Sequence, residues 1–369
     1  MTEQQERVQA CSDTAGTADT AAPGADAQQP TASDAATYRA GAGTPRAEVG
    51  GRQPTPGHLL VNPFPVLGVH PEVSRIAESI DDWLADKRMF DDSEGVRRAK
   101  AAEYARLAGC TLPRGNAVVV GLFGRFNAFF FDADERFVEV PAREGTVSAA
   151  AIELLSWGRI VEHARFIPAP AAGGPRGGLY DLSMQVRQHA SPAQVAQLNR
   201  GFLQYIAGAA CEAALLAQER MPPLDAYLAL RYDTIAKHWV LPWVEIAGGY
   251  ELSAALRHDP ELDRMTSALT HAVAWANDIV SCEREVGQWA KSPNLPSVLA
   301  HQRHCELQEG MAEAVVMYDR QIDHALSLLT DLRKRADAML TRYLDDLEIL
   351  AGGWLNWLQS ATRYQDTTR

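Results

Sequence analysis

The fold of this chain is decided by the stretch Asn277-Asp278-Ile279-Val280-Ser281-Cys282-Glu283-Arg284-Glu285. Its Asn277, Ser281 and Glu285 are each four residues apart, so on a helix they lie in a row on one face. An amide oxygen, a hydroxyl and a carboxylate are hard oxygen donors, which suit Mg²⁺ better than a softer metal. The preceding residues 268–276 are mostly apolar, which would place the row at the rim of a buried pocket. An ordinary polar helix end can show the same spacing.

Helical periodicity extends from this stretch over most of the chain. Apolar residues recur three and four positions apart, and clusters of Pro and Gly separate the repeats. An alternation typical of strands occurs only at Ala117–Val120 and Phe129–Phe131, inside longer helical patterns. We therefore predict an all-α fold, with helical segments over 71–88, 94–108, 116–134, 148–166, 193–218, 224–238, 260–287, 295–302 and 310–360.

The N-terminal 57 residues differ in composition from the rest. They are rich in Ala, Thr, Gly, Gln and Pro, and Tyr38 is their one aromatic residue. Such a segment buries too little apolar surface to offset its ordering entropy. We predict a disordered arm over 1–57 and one helical domain over 58–369. The arm could be a bland leader, a tail that docks a partner, or a targeting peptide.

Bulk composition excludes several classes of protein. The net charge of −12 disfavours a nucleic-acid partner, whereas an anionic small substrate stays possible if metal ions supply positive charge locally. No apolar run is long enough to span a membrane, and no secretory signal is visible. Five scattered cysteines fit neither a disulfide framework nor a zinc site, so we predict a cytoplasmic protein.

Two further features stand at notable distances from Asn277. Arg231 lies 46 residues before it, in the phrase Pro223-Leu224-Asp225-Ala226-Tyr227-Leu228-Ala229-Leu230-Arg231. The pair Arg363-Tyr364 lies 86 residues after it, six residues beyond Trp357. Taken alone, the first is typical of a salt-bridged helix arginine and the second of a polar tail.

Acidic clusters occur at three places. Asp91-Asp92-Ser93-Glu94 is typical of a loop with an N-cap acid, and Asp345-Asp346-Leu347-Glu348 of a solvated helix face. The third cluster, Asp132-Ala133-Asp134-Glu135, ends an apolar helix 145 residues before Asn277.

Asn277-Asp278-x-x-Ser281-x-x-x-Glu285 resembles the metal-binding NSE motif of microbial class I terpene synthases, and Asn294-Leu295 stands where that family continues with a related pair. The resemblance implies a single helical bundle around a central active-site cavity. It further implies that Asn277, Ser281 and Glu285 bind Mg²⁺, that the metal holds the diphosphate of an isoprenoid substrate, and that Arg284 adds a diphosphate contact.

The other features resemble the same family in the same order. Arg231 would be its diphosphate-sensing arginine, since a planar guanidinium binds phosphate oxygens bidentately. Thr234 and Ile235 would be the linker and effector positions at a helix break, where the family often has a small residue. Arg363 and Tyr364 would close over the diphosphate by hydrogen bonding. The pocket walls would include aromatic rings, which stabilise cations: Phe126, Phe129, Trp275 and Trp357.

The third acidic cluster occupies the place of the family's aspartate-rich motif, DDxxD or DDxxxE, but Ala133 stands where the second aspartate belongs. Asp132 would then be the bridging metal ligand. Asp134 or Glu135 would supply a further metal contact or a hydrogen bond to a ligand.

The resemblance thus implies an enzyme that uses Mg²⁺, three ions with Mn²⁺ as a substitute, to ionise and cyclise an isoprenoid diphosphate. A sesquiterpene or diterpene product is favoured. One alternative is a synthase of the 2-methylisoborneol type, which acts on methylated geranyl diphosphate and also carries a long Ala/Pro/Gly-rich arm. Another is an isoprenoid-diphosphate-binding protein that kept the fold and lost the chemistry. A homodimer is possible. A chain-elongating prenyltransferase would need two DDxxD motifs, which the sequence lacks.

Overall fold

The structure, a computed structural model, describes residues 60–89, 94–170, 173–288 and 293–361. All regular elements in this part of the chain are helical. They are α1 (Val73–Lys87), α2 (Glu94–Thr111), α3 (Ala117–Asp134), a π-helix (Glu135–Glu139), α4 (Val140–Glu144), α5 (Val147–His163), α6 (Gly174–Val186), α7 (Pro192–Ala217), α8 (Leu224–Thr234), α9 (Lys237–Gly248), α10 (Ala254–Arg257), α11 (Pro260–Gln288), α12 (Leu295–Arg303), α13 (Leu307–Arg333) and α14 (Ala338–Ser360).

Helix α3 is anchored on three sides by consecutive phenylalanines. Its start is capped by Asn116, whose side chain accepts from the N–H of Val118 at 3.0 Å. Because each residue turns a helix by about 100°, the three rings point to different neighbours. Phe129 packs on Trp157 of α5, Phe130 on Tyr205 of α7 and Trp239 of α9, and Phe131 on Tyr104 of α2 and Trp357 of α14.

The other long helices pack in pairs. Helix α11 lies along α13, which also covers α12, while α9 lies along α7 and α14 along α2. Helix α7 comes close to α9 at Gly201, where an added Cβ would stand 2.4 Å from the backbone carbon of His238. Only glycine fits there without moving the first turn of α9. No helix in the described ranges is long and apolar enough to span a membrane.

Several helix predictions are wrong in detail. The segment 224–238 is interrupted at Ile235 and Ala236, although the resemblance did imply a break beside Thr234. The segment 310–360 is interrupted at 334–337, where Asp337 caps α14 by accepting from the N–H of Leu340 at 2.8 Å. The helical residues 135–144 and 239–248 were not predicted. A helix over Gly174–Val186 was also missed, because its Gly- and Pro-rich first turn is typical of a loop. Pro is compatible with a helix in this first turn, since its missing N–H would have no partner there.

Candidate active site

Helix α11 presents the predicted row of Asn277, Ser281 and Glu285, and α8 brings Arg231 against it. The Nη2 of Arg231 donates to Oδ1 of Asn277 at 2.8 Å, and its Nε donates to Oδ1 of Asp278 at 2.7 Å. The Nη1 donates to the hydroxyl of Thr234 at 3.3 Å. Two residues that are 46 positions apart in sequence are therefore in direct contact.

Asp278 is the anchor of this arrangement. It is buried, and its second oxygen accepts from the hydroxyl of Tyr227 and from the N–H of Leu295. Burial raises the pKa of Asp278, and the charge of Arg231 offsets part of that rise. Burial acts to lower the pKa of Arg231, but the charges of Asp278, Tyr227 and Glu212 and the hydrogen bond to Asp278 together hold it above its usual value. The short contact between the Arg231 Nε and the Asp278 carboxylate has the geometry of an ion pair, and both side chains are largely shielded from solvent.

Glu285, at the far end of the row, is oriented by the start of α12. Asn294 donates from Nδ2 to Oε2 of Glu285 at 3.1 Å, while its Oδ1 caps α12 by accepting from the N–H of Ser297 at 3.1 Å. Arg284 lies alongside, its Nη2 3.8 Å from Oε1 of Glu285. The pair Asn294-Leu295 thus contacts two carboxylates of α11, Glu285 through Asn294 and Asp278 through Leu295.

Ser281, between Asn277 and Glu285, has a buried hydroxyl oxygen for which the described residues provide no hydrogen-bond partner. A buried polar atom without a partner is costly in a folded protein. A metal ion on the row formed by Asn277, Ser281 and Glu285 would satisfy it.

The end of α3 shows how differently its three acids are placed. Asp132 is buried and forms an ion pair with Nε of Arg136 at 2.7 Å. Burial raises the pKa of Asp132 to about 6, although Arg136 and Lys100 act in the opposite direction. Glu135 is exposed at the start of the π-helix. Asp134 is half-buried, and its charge raises the pKa values of Tyr205 and Glu212 on α7.

Glu212 is a residue that sequence reasoning missed. Burial raises its pKa to about 8, helped by the charges of Asp134, Glu285 and Asp278 and opposed by that of Arg231. One half-buried carboxyl therefore lies within electrostatic reach of acids from both α3 and α11. In the sequence it is an isolated acid in the Ala-rich segment 207–217, and the one available signal was a charged residue within a strongly apolar helix.

The helix break lies next to Arg231. Helix α8 ends at Thr234 and α9 begins at Lys237, so Ile235 and Ala236 form the interruption. Ala236 adopts the left-handed conformation, with φ of 61°, which favours glycine and costs a residue with a Cβ about 1–2 kcal/mol.

The four predicted pocket residues are all buried but do not form one wall. Phe126 packs on Trp239 and Trp243 of α9, whereas Phe129 packs on α5. Trp275 stacks on His271 within α11, and Trp357 lies against Phe131. Phe130, Tyr205 and Trp239 form a further ring cluster, with the centroid of Phe130 4.4 Å from that of Trp239 and 4.6 Å from that of Tyr205. Of these three, Tyr205 is the one on which the charge of Asp134 acts.

Arg363 and Tyr364 lie outside the described residues, as do the arm 1–57 and the cluster Asp91-Asp92-Ser93. The other discarded acidic cluster, Asp345 and Glu348, pairs with Arg333, so α14 uses it for a surface ion pair. Within the described ranges, no group of three or more His, Cys, Asp and Glu side chains is arranged to hold a metal ion. Mg²⁺ commonly binds through one or two carboxylates together with substrate phosphates, so a closed protein cage is not required.

Two histidines near the break provide a test by pH. Burial lowers the pKa values of His238 and His271 to about 4, and the charge of Lys237 acts in the same direction. Because an unfolded histidine titrates near pH 6.5, each imidazole stabilises the folded state above that pH, and this contribution is lost as the pH falls toward 4. We expect the unfolding temperature to fall as the pH is lowered from about 6.5 to about 4. His271→Phe should make this fall smaller. The exposed His301 provides the control, and His301→Phe should leave the pH dependence of the unfolding temperature unchanged. If the two variants showed the same pH dependence, the buried histidines would not be its cause.

Comparison with known proteins finds several terpene synthases that are similar to this chain. The 4-epi-cubebol synthase of Streptosporangium roseum is 25% identical over 307 residues, which cover 83% of this chain and 92% of that protein. A germacradien-6-ol synthase of Streptomyces pratensis is 24% identical, covering 80% of this chain and 83% of that protein. The structure of 2-methylisoborneol synthase from Streptomyces coelicolor A3(2) superposes with a TM-score of 0.71 at 20% identity, covering 81% of this chain and 95% of that one, and so shares the fold.

The family model described as terpene synthase family 2, C-terminal metal binding, matches residues 125–324. This region includes α3 from Arg125 onward, the helix break and the whole of α11, and so contains every described group that converges on Arg231. The resemblance found in the sequence and the all-α fold are both confirmed. The chain belongs to the terpene synthases, as a class I enzyme of the microbial type with a divalent-metal-binding domain.

Proposed function

We propose that this enzyme ionises a linear isoprenoid diphosphate with Mg²⁺ and cyclises the resulting carbocation to a terpene hydrocarbon or alcohol, releasing diphosphate. The observation that carries the proposal is the contact between Arg231 and Asn277, 2.8 Å between Nη2 and Oδ1. In this contact a guanidinium lies directly beside a row of three hard oxygen donors, and such groups are suited to bind a diphosphate together with its metal ion.

The residues present fit Mg²⁺. Ser281 offers a buried hydroxyl oxygen that lacks a partner among the described residues. The charges of Asp134, Asp278 and Glu285 all act on Glu212, and that of Arg231 opposes them. Such a concentration of partly buried acids favours the binding of cations. We propose that Asn277, Ser281 and Glu285 hold the metal, which neutralises the charge that develops on the leaving diphosphate.

The protein's own groups would then act as follows. Arg231 and Arg284 donate hydrogen bonds to the diphosphate oxygens, where the negative charge grows as the C–O bond breaks. Asn294 keeps the carboxylate of Glu285 directed at the metal. The clustered aromatic rings of Phe130, Tyr205 and Trp239 exclude water and offer their faces to the cation. Ionisation needs no general acid in this scheme, and the departing diphosphate can accept the final proton.

On the opposite helix, the structure favours Asp134 over Asp132 as the metal ligand. Asp132 is buried and paired with Arg136, whereas the charge of Asp134 acts on Glu212, which also senses Glu285. The π-helix adds a second acid. In an α-helix, residues five apart lie on nearly opposite faces, but i→i+5 bonding, seen where the N–H of Val140 donates to Glu135, brings Glu139 back toward the face of Asp134.

The sequence supports this register too. Asp134-Glu135-x-x-x-Glu139 fits the spacing DDxxxE with Glu135 in place of the second aspartate. Under this proposal Asp134 and Glu139 bind metal, and Asp132 stabilises the helix end through Arg136.

A matched pair of variants separates the two registers. We expect Asp134→Asn to lower kcat by about 10²-fold or more, since it removes a charge that stabilises the transition state, and to weaken Mg²⁺-dependent binding of inorganic pyrophosphate. Asp132→Asn should keep kcat within about tenfold and mainly lower the unfolding temperature. Turnover assays and calorimetric titration with pyrophosphate measure both effects. The reverse pattern would restore Asp132 as the ligand.

The similarity to a synthase that cyclises (2E,6E)-farnesyl diphosphate favours a sesquiterpene product. The similarity to a labdatriene synthase of Streptomyces cyslabdanicus supports a diterpene as the alternative product. The decisive assay incubates the protein with Mg²⁺ and, separately, with geranyl, methylated geranyl, farnesyl and geranylgeranyl diphosphate. We expect diphosphate release and a cyclic product with farnesyl or geranylgeranyl diphosphate. Turnover of the methylated substrate alone would favour the 2-methylisoborneol type, and release with none would favour the inactive binding protein.

The number and kind of the metal ions are part of the same proposal. Three Mg²⁺ ions, replaceable by Mn²⁺, would bind together with the diphosphate, and a metal titration in the presence of pyrophosphate would count them. The cytoplasmic location, the homodimer and a docking partner for residues 1–57 stay predictions.

A further inference from the structure

The break between α8 and α9 is followed at once by a buried lysine. The side chain of Lys237 is only 1% exposed, and its ammonium donates to the hydroxyl of Ser267 at 2.9 Å, to the hydroxyl of Tyr232 and to Oδ1 of Asp263 at 3.3 Å. Tyr232 and Ser267 are also hydrogen-bonded to each other at 2.8 Å. We refer to these four side chains as the Lys237 cluster.

A buried ammonium is expensive unless its donors are satisfied. Here all three of its hydrogen-bonding positions have partners, and the ammonium also lies 4.9 Å from the ring centroid of Tyr232. Two of the partners, Asp263 and Ser267, belong to α11, the helix that carries the metal-binding row. The Lys237 cluster therefore connects the first residue of α9 to the metal helix.

The break between α8 and α9, which directly precedes Lys237, is strained. Ala236 has a φ of 61° in a region that favours glycine, and such conformations persist only where the surroundings enforce them. On one side, α7 approaches through Gly201, which leaves no room for a Cβ against His238. On the other side, Lys237 fixes the chain to α11. The break is thus clamped between two helices.

Arg231 is hydrogen-bonded to α11 as well, at Asn277 and Asp278. These residues lie ten or more positions after the partners of Lys237 on that helix. Under the proposed function Arg231 would turn from Asn277 to a diphosphate oxygen, and the last turn of α8 would adjust. Because the Lys237 cluster holds the other side of the break, the adjustment would be confined to the turn that carries Arg231 and Thr234.

We propose that Lys237 is a positioning residue for the cyclisation reaction: its buried ammonium fixes the strained break to α11 and thereby keeps Arg231 in register with Asn277, Ser281 and Glu285. This inference rests on the proposed function. The inference adds a residue to the proposed active site, Lys237, which contacts neither metal nor substrate and was not among the predicted site residues.

The test compares Lys237→Met, which keeps the length of the side chain and removes the charge, with Lys87→Met, which removes an ion-paired lysine from α1. We expect Lys237→Met to lower kcat at least tenfold with KM changed less than threefold, and the amide hydrogens of Trp239 and Val240, which bond to the carbonyl of Ala236, to exchange at least tenfold faster. Lys87→Met should leave kcat and both amides unchanged.

A rescue separates positioning from general loss of stability. Because glycine removes the strain at position 236, Ala236→Gly in the Lys237→Met background should restore at least half of the lost kcat and much of the amide protection. Ser267→Ala, which removes one partner only, provides a milder variant if Lys237→Met does not fold, with the same pattern expected at reduced size. Unchanged exchange at Trp239 and Val240, or no rescue by Ala236→Gly, would overturn the proposal. The exchange measurement needs no turnover, so it gives a result even if no allylic diphosphate is a substrate and the proposed function fails.

Discussion

Glu285→Gln is expected to reduce kcat by roughly 10²–10³-fold while leaving the unfolding temperature nearly unchanged. The substitution keeps the shape of the side chain and an oxygen for Nδ2 of Asn294, but removes the one negative charge in the row Asn277, Ser281 and Glu285. Losing a preorganised group that stabilises the charge of the transition state typically has this magnitude. Steady-state turnover and the Mg²⁺ concentration for half-maximal rate measure the effect, and the latter should rise.

The matched control is Glu283→Gln, two residues earlier on the same helix. Glu283 is exposed, so its loss changes the charge of α11 without changing the row. We expect wild-type kcat and metal dependence. Equal activity of both variants would remove Glu285 from the metal site, and equal loss in both would point to the charge of the helix as a whole.

Asp278→Ala should cost about 3–5 kcal/mol of folding free energy, because it leaves the buried guanidinium of Arg231 without its partner. In a domain of this size that lowers the unfolding temperature by roughly 10 °C. The hydroxyl of Tyr227 and the N–H of Leu295 lose their acceptor as well. Turnover should fall with stability, since Arg231 and the start of α12 are both held by this carboxylate.

A double variant distinguishes the two effects. Asp278→Ala combined with Arg231→Met removes both charges, so much of the stability should return while turnover stays low, because the diphosphate has lost its guanidinium. Thermal unfolding and product formation on the two single variants and the double variant complete the cycle. A stability loss in the double variant equal to the sum of the single losses would contradict a direct ion pair.

The row on α11 could be predicted from the sequence because helix geometry alone places residues at i, i+4 and i+8 together. The contact of Arg231 with Asn277 could not be derived in that way. It was implied by the resemblance to a family, and it depends on how α8 packs against α11. The break after Thr234 carries no glycine, so local propensity gave no reason to end a helix there.

The acidic end of α3 shows what local patterns miss. Asp132 came first in the sequence motif, but its ion pair with Arg136 and the π-helix that follows are properties of the folded helix end. Glu212 was invisible for a related reason: the charges that act on it come from α3, α8 and α11, segments separated by up to 151 positions. Its environment exists only after the bundle has formed.

The single oxygen of Asn277 that accepts from Arg231 is also the atom that the metal would need. If Asn277 binds the metal as proposed, a guanidinium and a divalent cation would compete for this oxygen. Metal binding would then weaken its hydrogen bond to Arg231, and an anion bound by Arg231 would leave the oxygen free for the metal. Binding of metal and diphosphate would be positively cooperative, and by linkage each would raise the affinity for the other by the same factor. The enzyme would discriminate against either ligand alone, and an allylic diphosphate would be ionised only where metal and substrate arrive together.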